Sequence, residues 1–269
     1  MKGKRTITGI VIAVAIAIIY FLVDPNQEKP KITTNVSDEI ITVEKRDFRL
    51  PDSITTQIIK RPFFTLSYNE LHEQADWVAY TLYPNNEDST VVRKNRFKSD
   101  PLVVSESASL KDYKGSGYDR GHLAPSKALS FSQEANDASF FMSNMSPQEL
   151  NFNRGIWKKI EAAVYKWSQK SDSLYVVTGP VLNTVIDTIG ENKVSVPSAY
   201  YKTVLRFKDA RMSGIGFLIE NKKSSQPIES FFSSIDSIEK VTGFNFYALL
   251  DTIKQSRLEA NKLLDQFID

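Results

Sequence analysis

The chain has 269 residues, 41% of them hydrophobic, so it is long enough for one large domain with a substantial core and is not a disordered chain. Its 34 Lys and Arg against 32 Asp and Glu leave a formal net charge of +2, so any attraction for a polyanion must be local. Cysteine is absent, which excludes disulfides, thiolate metal sites and cysteine nucleophiles. The imidazoles available for chemistry are those of His72 and His122.

The first predicted element is a transmembrane helix. The run Thr6–Val23 carries no charge and follows Lys2, Lys4 and Arg5. At about 1.5 Å per residue, a run of this length nearly matches the hydrocarbon core of a bilayer. A cleaved signal peptide is the alternative, although the run is long for one and no small-x-small cleavage site follows it. We therefore expect residues 1–23 to anchor the protein with its folded part outside the cytoplasm, or to be removed from a secreted protein.

The rest of the chain divides into a tether and a domain. Residues 24–61 are polar, contain three prolines and show no sustained period, so they are interpreted as a tether with one short strand at Ile40–Val43. Residues 62–269 form the predicted domain. Its predicted strands are Phe63–Tyr68, Trp77–Tyr83, Phe140–Ser143, Leu174–Thr178, Tyr200–Phe207 and Gly214–Ile219. Its predicted helices begin near Asn153 and cover Ile235–Val241 and Ile253–Phe267. This mixture predicts a single α+β domain.

The helix beginning near Asn153 has one apolar and one polar flank. Its apolar residues recur at helical spacing, at positions 156, 160, 164 and 167. Asn153, Trp157 and Glu161 are four residues apart, so a regular helix would place them together beside the apolar stripe. The carbonyl oxygen of Asn153 suits a hydrated Mg²⁺, which needs few protein ligands. Asn153 could equally cap the helix.

His122 is the stronger candidate for a catalytic imidazole. Phosphodiester hydrolysis needs a group that takes a proton from water and cations that hold the developing charge. His122 follows Gly121 and a loop rich in Lys, Gly and Ser (111–117), which predicts an exposed imidazole with a nearly ordinary pKa. His72 has no such neighbourhood and is interpreted as a surface residue.

Five ordered sequence blocks carry a resemblance to a known family. They are Asp119–His122 with Ala124-Pro125, Ser143–Gln148, Asn153–Trp157 with Glu161, Val177–Pro180, and Val196–Lys202. Together they resemble the DNA/RNA non-specific endonuclease family, which includes secreted bacterial nucleases and mitochondrial endonuclease G. The resemblance extends roughly from residue 63 to residue 258. It implies a ββα-metal, or His-Me finger, fold with an antiparallel sheet, a histidine at a strand end and an asparagine on the crossing helix.

The resemblance also implies roles for individual residues in cleaving DNA and RNA to 5′-phosphate ends. His122 would be the general base, and Asn153 the direct protein ligand of Mg²⁺, with Mn²⁺ as an alternative cation. Glu161 would bind the metal through water and contribute to catalysis. Asn144 would orient groups around the histidine, and Arg120 would bind phosphate or support its loop.

A further arginine is expected just before Phe97, and both Arg93 and Arg96 are candidates. Residues 91–130 contain eight Lys or Arg (93, 94, 96, 98, 111, 114, 120, 127) and four acids (100, 106, 112, 119), a local excess of positive charge. A solvated basic face would show the same excess. Since no base-reading motif is present, we expect DNA and RNA to bind mainly through their phosphates.

Two other functions fit parts of this pattern. A nuclease-like domain without catalysis, acting as a membrane-anchored binding module, would be expected to have lost its histidine or asparagine. A phosphodiesterase acting on small molecules or sugar phosphates would be expected to show more metal ligands, since two-metal sites need clusters of His and Asp. The presence of His122, Asn153 and Glu161 in a chain with one further histidine favours the nuclease over both.

Overall fold

The computed structural model describes residues 47, 49–52, 57–260 and 267. The predicted transmembrane segment and the strand predicted at Ile40–Val43 lie outside these residues. Within the part that is described, no helix combines the length and the apolar character needed to cross a membrane.

Eleven strands and five α-helices make up the described fold. In chain order the strands are β1 Gln57–Lys60, β2 Phe64–Asn69, β3 Gln74–Leu82, β4 Tyr118–His122, β5 Met145–Glu149, β6 Ser173–Pro180, β7 Val185–Ile189, β8 Val194–Pro197, β9 Ala199–Lys208, β10 Arg211–Glu220 and β11 Phe232–Ser233. The helices are α1 Leu110–Tyr113, α2 Gln133–Ala138, α3 Lys158–Ser168, α4 Ile235–Thr242 and α5 Thr252–Glu259. Short 3₁₀ helices cover Met142–Asn144 and Ile228–Phe231, and a π-helix covers Phe152–Trp157.

Seven strands form one antiparallel sheet in the order β1-β2-β3-β6-β9-β10-β11. Strand β9 is buried along most of its length, because both faces of the sheet are covered. Its side chains alternate between two cores: Tyr200 and Val204 face the α3 side, and Tyr201 and Leu205 face the side covered by α4 and α5. Lys202 has the same parity as Tyr200 and therefore points to the α3 side. The candidate site lies on that side.

Two smaller ribbons complete the strand structure. Strand β4 pairs with β5, and β7 pairs with β8, both antiparallel. The α+β class, the antiparallel sheet and most of the predicted strands are confirmed. The predicted start of the domain at Pro62 is too late, because β1 already pairs with β2 from Gln57. The strand predicted at Phe140–Ser143 is also wrong, since a 3₁₀ helix stands there and the strand follows at Met145.

The polypeptide entering α3 is not a regular helix. Residues 152–157 form a π-helix, and Gly155 has φ −104° and ψ −107°, outside helical geometry. The apolar stripe on Ile156, Ile160 and Val164 is buried against the sheet, as predicted. The last helix is described over Thr252–Glu259, and residues 261–266 of its predicted extension are outside the described part.

Candidate active site

Strand β4 ends at His122, and the residue before it has no room for a side chain. A Cβ on Gly121 would lie 2.0 Å from Cδ of Gln148, which crosses the ribbon from β5. Gly121 pairs with Ser146 and His122 with Met145. The glycine of the Asp-Arg-Gly-His block is therefore required by close packing between the two strands.

The His122 side chain is less exposed than the sequence suggested. Phe140 meets the imidazole edge-on with ring centroids 4.9 Å apart, and Phe97 meets it at 5.8 Å. Nε2 is buried and has no hydrogen-bond partner among the described residues. Burial, followed by the positive charges of Arg93 and Arg120, lowers the pKa of His122 to about 3. The expected exposed imidazole with an ordinary pKa is therefore wrong, and the ring is neutral at pH 7.

Asn144 lies beneath the loop that follows His122. It is fully buried, and its side-chain nitrogen donates to the carbonyl oxygens of Ala124 and Ser139 at 2.9 and 2.8 Å. Its side-chain oxygen accepts from the Ala124 N–H at 2.9 Å, and its main-chain oxygen accepts from the Leu123 N–H at 3.0 Å. Asn144 thus holds the backbone directly after the histidine and does not face the cleft.

Asn153 is fixed by the acidic residue of the Asp-Arg-Gly-His block. Its side-chain nitrogen donates to Asp119 Oδ2 at 3.0 Å, and Arg154 donates to both oxygens of the same carboxylate at 2.8 and 2.7 Å. Because the nitrogen meets Asp119, the carbonyl oxygen of the amide is turned away from it. The alternative that Asn153 caps the helix is wrong. The N-cap position is occupied by Asn151, whose side chain makes no capping hydrogen bond.

Glu161 and Lys202 place a carboxylate and an ammonium beneath the cleft. Burial raises the pKa of Glu161 to about 7 against the opposing charges of Lys202, Arg93 and Lys158. Lys202 is fully buried, and its Nζ has no hydrogen-bond partner among the residues that the structure describes. It lies 4.7 Å from the ring centroid of Trp157. Burial lowers the pKa of Lys202 to about 8, and Glu161 opposes that shift.

The structure separates the candidate arginines. Arg93 and Arg120 both line the cleft, with their Cζ atoms 5.4 Å from the Phe140 ring centroid and 4.3 Å from the Phe97 ring centroid. All three arginines are exposed, but Arg96 is not among the cleft residues.

One cleft of about 510 Å³ brings five of the predicted residues together: Arg93, Arg120, His122, Asn153 and Glu161. Trp157 does not line the cleft with Asn153 and Glu161, although its side chain interacts with Glu161. It is fully buried, and its ring stacks on Phe152 at 5.4 Å. The break in the helix at Gly155 explains the difference, because it interrupts the regular four-residue repeat between Asn153 and Trp157.

Two other groups lie outside the cleft. His72 is partly buried instead of being a simple surface residue, and its Nδ1 is 2.9 Å from Ser195 Oγ. Asp236, Glu239 and Glu259 bring carboxylate oxygens within 4.8 Å of one another on α4 and α5. No second feature of this acidic cluster indicates a ligand, so the candidate metal donors remain Asn153 and Glu161.

Sequence reasoning did not assign functions to Asp119, Lys202, Phe97 or Phe140. Each belonged to a motif or predicted strand, yet its neighbours come from distant parts of the chain. Asp119 reaches the π-helix, and Lys202 reaches Trp157. Parity along β9 could have placed Lys202 on the α3 side, because side chains two residues apart share a face.

An antiparallel sheet, a histidine at a strand end and an asparagine before the helix that packs on that sheet form the ββα-metal arrangement that the sequence predicted. The family model for DNA/RNA non-specific endonucleases matches residues 45–253. The chain belongs to this family, and it is a hydrolase of the DNA/RNA non-specific endonuclease class.

Named relatives agree with this assignment. Nuclease C1 of Cunninghamella echinulata var. echinulata is 32% identical over 210 residues, covering 72% of this chain and 83% of that protein. Human mitochondrial endonuclease G is 30% identical over 205 residues, covering 71% of this chain and 69% of that protein. The solved structure of the EndoG/EndoGI complex contains a chain with a TM-score of 0.68 and 28% identity, covering 73% of this chain and 88% of that one.

Proposed function

We propose that this protein cleaves DNA and RNA in a Mg²⁺-dependent reaction that leaves 5′-phosphate ends, with His122 as general base. The observation that carries the proposal is the single cleft shared by the imidazole, the two oxygen donors Asn153 and Glu161, and the two arginines. A base, a cation site and fixed positive charge are the groups that phosphodiester hydrolysis requires.

His122 would take the proton of the attacking water. Because its pKa is far below 7, the ring is neutral and ready to accept a proton. Nε2 is buried, so Nδ1 is the nitrogen left to meet a water in the cleft. A bound phosphate would offset the charges of Arg93 and Arg120, and this would raise the pKa of His122 and make the ring a better base.

The donors in the cleft fit a hard divalent cation. Asp119 holds the Asn153 nitrogen at 3.0 Å, so the amide can present its oxygen to a metal, and the Glu161 carboxylate lies in the same cleft. Mg²⁺ prefers oxygen ligands and keeps several waters, so one amide and one carboxylate acting through water suffice. Mn²⁺ has similar preferences. The cation would supply charge stabilisation at the phosphoryl oxygens.

The two cleft arginines, Arg93 and Arg120, would bind the phosphate of the substrate. Arg93 acts electrostatically on both His122 and Glu161, so it lies beside the reacting phosphate in this proposal. Arg120 would bind the same phosphate or its neighbour. Asn144 would act through the backbone by fixing Leu123 and Ala124 behind the histidine.

The direct test incubates the full chain in detergent with plasmid and with RNA, in Mg²⁺, Mn²⁺ or EDTA. We expect both substrates to be cut with either metal and neither with EDTA, and end-labelling should detect 5′-phosphates. Asn153→Ala should weaken Mn²⁺ binding measured by calorimetry as well as activity. Glu161→Gln should lower metal affinity by about 10- to 100-fold. The exposed Glu191→Gln is the matched control.

The alternative of an inactive binding module makes the opposite prediction. It would retain nucleic acid in a gel-shift assay without cutting it in any metal. Metal-independent cutting would also contradict the proposal.

Localisation follows from the N-terminal segment alone. We propose that the uncharged run after Lys2, Lys4 and Arg5 anchors the protein with the nuclease domain outside the cytoplasm, or directs its secretion if cleaved. Protease should then reach the domain of an anchored protein in intact cells if it is extracellular, or in osmotically opened cells if it is periplasmic, and secretion should place it in the medium. A domain that stays with the cytosol after fractionation would contradict the proposal.

A further inference from the structure

Three rings form a closed cluster at the wall of the cleft. Phe97 and Phe140 meet at 5.1 Å with an interplanar angle of 83°, and each contacts the imidazole of His122, at 5.8 and 4.9 Å. Edge-to-face contacts of this kind favour a fixed mutual orientation beyond the burial of apolar area.

An arginine guanidinium also lies over the ring of each phenylalanine. The Cζ atom of Arg120 is 4.3 Å from the centroid of Phe97, and that of Arg93 is 5.4 Å from the centroid of Phe140. Neither guanidinium has a carboxylate oxygen within 4.0 Å in the described part of the chain. A ring attracts a guanidinium without occupying all of its N–H donors, so each arginine keeps donors for phosphate. Arg93 is also held by Asn95, whose Oδ1 accepts from its Nε at 2.8 Å.

The backbone ties the two phenylalanines to each other. Lys98 N–H donates to the Phe140 oxygen at 3.2 Å, and Met142 N–H donates to the Lys98 oxygen at 2.9 Å. Phe97 itself is only partly buried, unlike Phe140, which is 1% exposed. Core packing alone therefore accounts for an aromatic ring at position 140 better than for one at position 97.

We propose that Phe97 and Phe140 are positioning residues that hold His122, Arg93 and Arg120 in one fixed arrangement for catalysis. The inference rests on the proposed function, since it assigns those three side chains to the reaction. Phe97 links the imidazole to Arg120, and Phe140 links it to Arg93. Loss of the Phe97 ring would remove the ring contact of Arg120, and loss of the Phe140 ring would remove that of Arg93, which keeps its hydrogen bond to Asn95. Either loss would open one side of the imidazole.

The test compares Phe97→Leu with Phe97→Tyr, since the first removes the aromatic ring and the second keeps it. We expect Phe97→Leu to lower kcat by about 10- to 100-fold with a smaller change in KM, because misplacement of reacting groups by about 1 Å costs that much. Phe97→Tyr should keep kcat near the parental value. Because Phe97 acts partly through Arg120, the same leucine substitution should cost less in an Arg120→Ala background.

The matched control is Phe131→Leu, which removes a ring from another partly buried pair, Phe63–Phe131 with centroids 6.1 Å apart. It should leave kcat unchanged. Phe140→Leu should resemble Phe97→Leu, and if it does not fold, the partly buried Phe97 still decides the question.

A second readout does not depend on cleavage. NMR titration should follow the ring protons of His122, identified by their absence in His122→Ala. The charged groups acting on this ring are Arg93, from the segment before Phe97, and Arg120, from β4. Opening one side of the imidazole to water should move its pKa upward in Phe97→Leu, towards the ordinary value of 6.5.

The proposal is overturned if Phe97→Leu leaves either kcat or the His122 titration at its parental value, or if Phe131→Leu loses as much activity. If the parent cuts neither DNA nor RNA, the proposed function fails, and the titration alone then decides whether Phe97 fixes the imidazole.

Discussion

The central sheet and the cleft use buried polar groups in different ways. In the sheet, Thr178 Oγ1 donates to the Tyr201 oxygen at 3.0 Å and Tyr201 Oη donates to the Asp76 oxygen at 3.0 Å. In the cleft, the buried His122 Nε2 has no hydrogen-bond partner among the described residues. Such an unpaired buried group costs free energy, whereas the two sheet hydrogen bonds stabilise the fold. Substitutions in the two regions should therefore have separable effects.

The largest effect on the reaction is expected from His122→Ala. Loss of a general base typically lowers the rate by about 10²- to 10⁴-fold, and no hydrogen bond of the Nε2 atom is lost with it. Circular dichroism should show a retained fold. His72→Ala is the matched control, because His72 lies outside the cleft and its Nδ1 contacts Ser195. A parental cleavage rate in His122→Ala would refute the assignment.

The next largest effect should distinguish Arg93 from Arg96. Removing a donor that stabilises transition-state charge costs about 10²- to 10³-fold in kcat. We expect this loss for Arg93→Ala, because Arg93 lines the cleft, and only a modest rise in KM for Arg96→Ala. Measuring kcat and KM at two salt concentrations checks both roles, since a distant phosphate contact mainly alters salt dependence. Equal kcat in the two variants would contradict the assignment, and a loss confined to Arg120→Ala would transfer it to that residue.

Much of the fold was predictable from the sequence. The strands around Leu66, Val176 and Val204 follow local apolar patterns that a seven-stranded sheet satisfies. The strand expected at residues 140–143 was misplaced, because a run of apolar residues can equally pack as a 3₁₀ turn. Phe140 and Phe141 are buried in the core, as they would have been in the predicted strand.

Motif spacing predicted that His122, Asn153 and Glu161 lie together, and the structure has all three lining one cleft. Their roles in a reaction stay predictions. Motif spacing did not predict the buried state of the imidazole, because Phe97 and Phe140 come from other segments. Likewise, a fixed 100° step per residue cannot anticipate the break in the helix at the non-helical Gly155.

A substitution in the sheet should lower the stability of the fold without changing kcat. Leu66 on β2 is fully buried and pairs with Val78 on β3. Leu66→Ala should lower the free energy of unfolding by about 2–5 kcal/mol through lost burial and a cavity. Its kcat at low temperature, normalised to folded protein, should remain parental. Urea unfolding and steady-state kinetics on one preparation would measure both, and a large loss of kcat in the folded variant would show that the two regions are coupled.

A further effect should appear in the acid dependence of stability. The pKa of His122 is lowered from 6.5 to about 3 in the folded protein, so between these values the unfolded chain binds more protons at this position. The contribution of neutral His122 to stability is therefore present above about pH 6.5 and is lost as the pH falls towards the folded pKa. Other groups also titrate, including Glu161, whose raised pKa acts in the opposite direction.

Those other groups are shared by the parent and His122→Ala, so the difference between the two proteins isolates the imidazole. Urea unfolding at several values between about pH 4 and about pH 7 should show the parent losing stability relative to the variant as the pH falls. Acid unfolding of His72→Ala should follow the parent more closely, because the pKa of His72 is lowered by a partial burial that Asp76 opposes. If the stabilities of the parent and of His122→Ala fall in parallel with pH, the imidazole is already solvated in the folded protein. The aromatic surroundings of His122 would then not control its protonation.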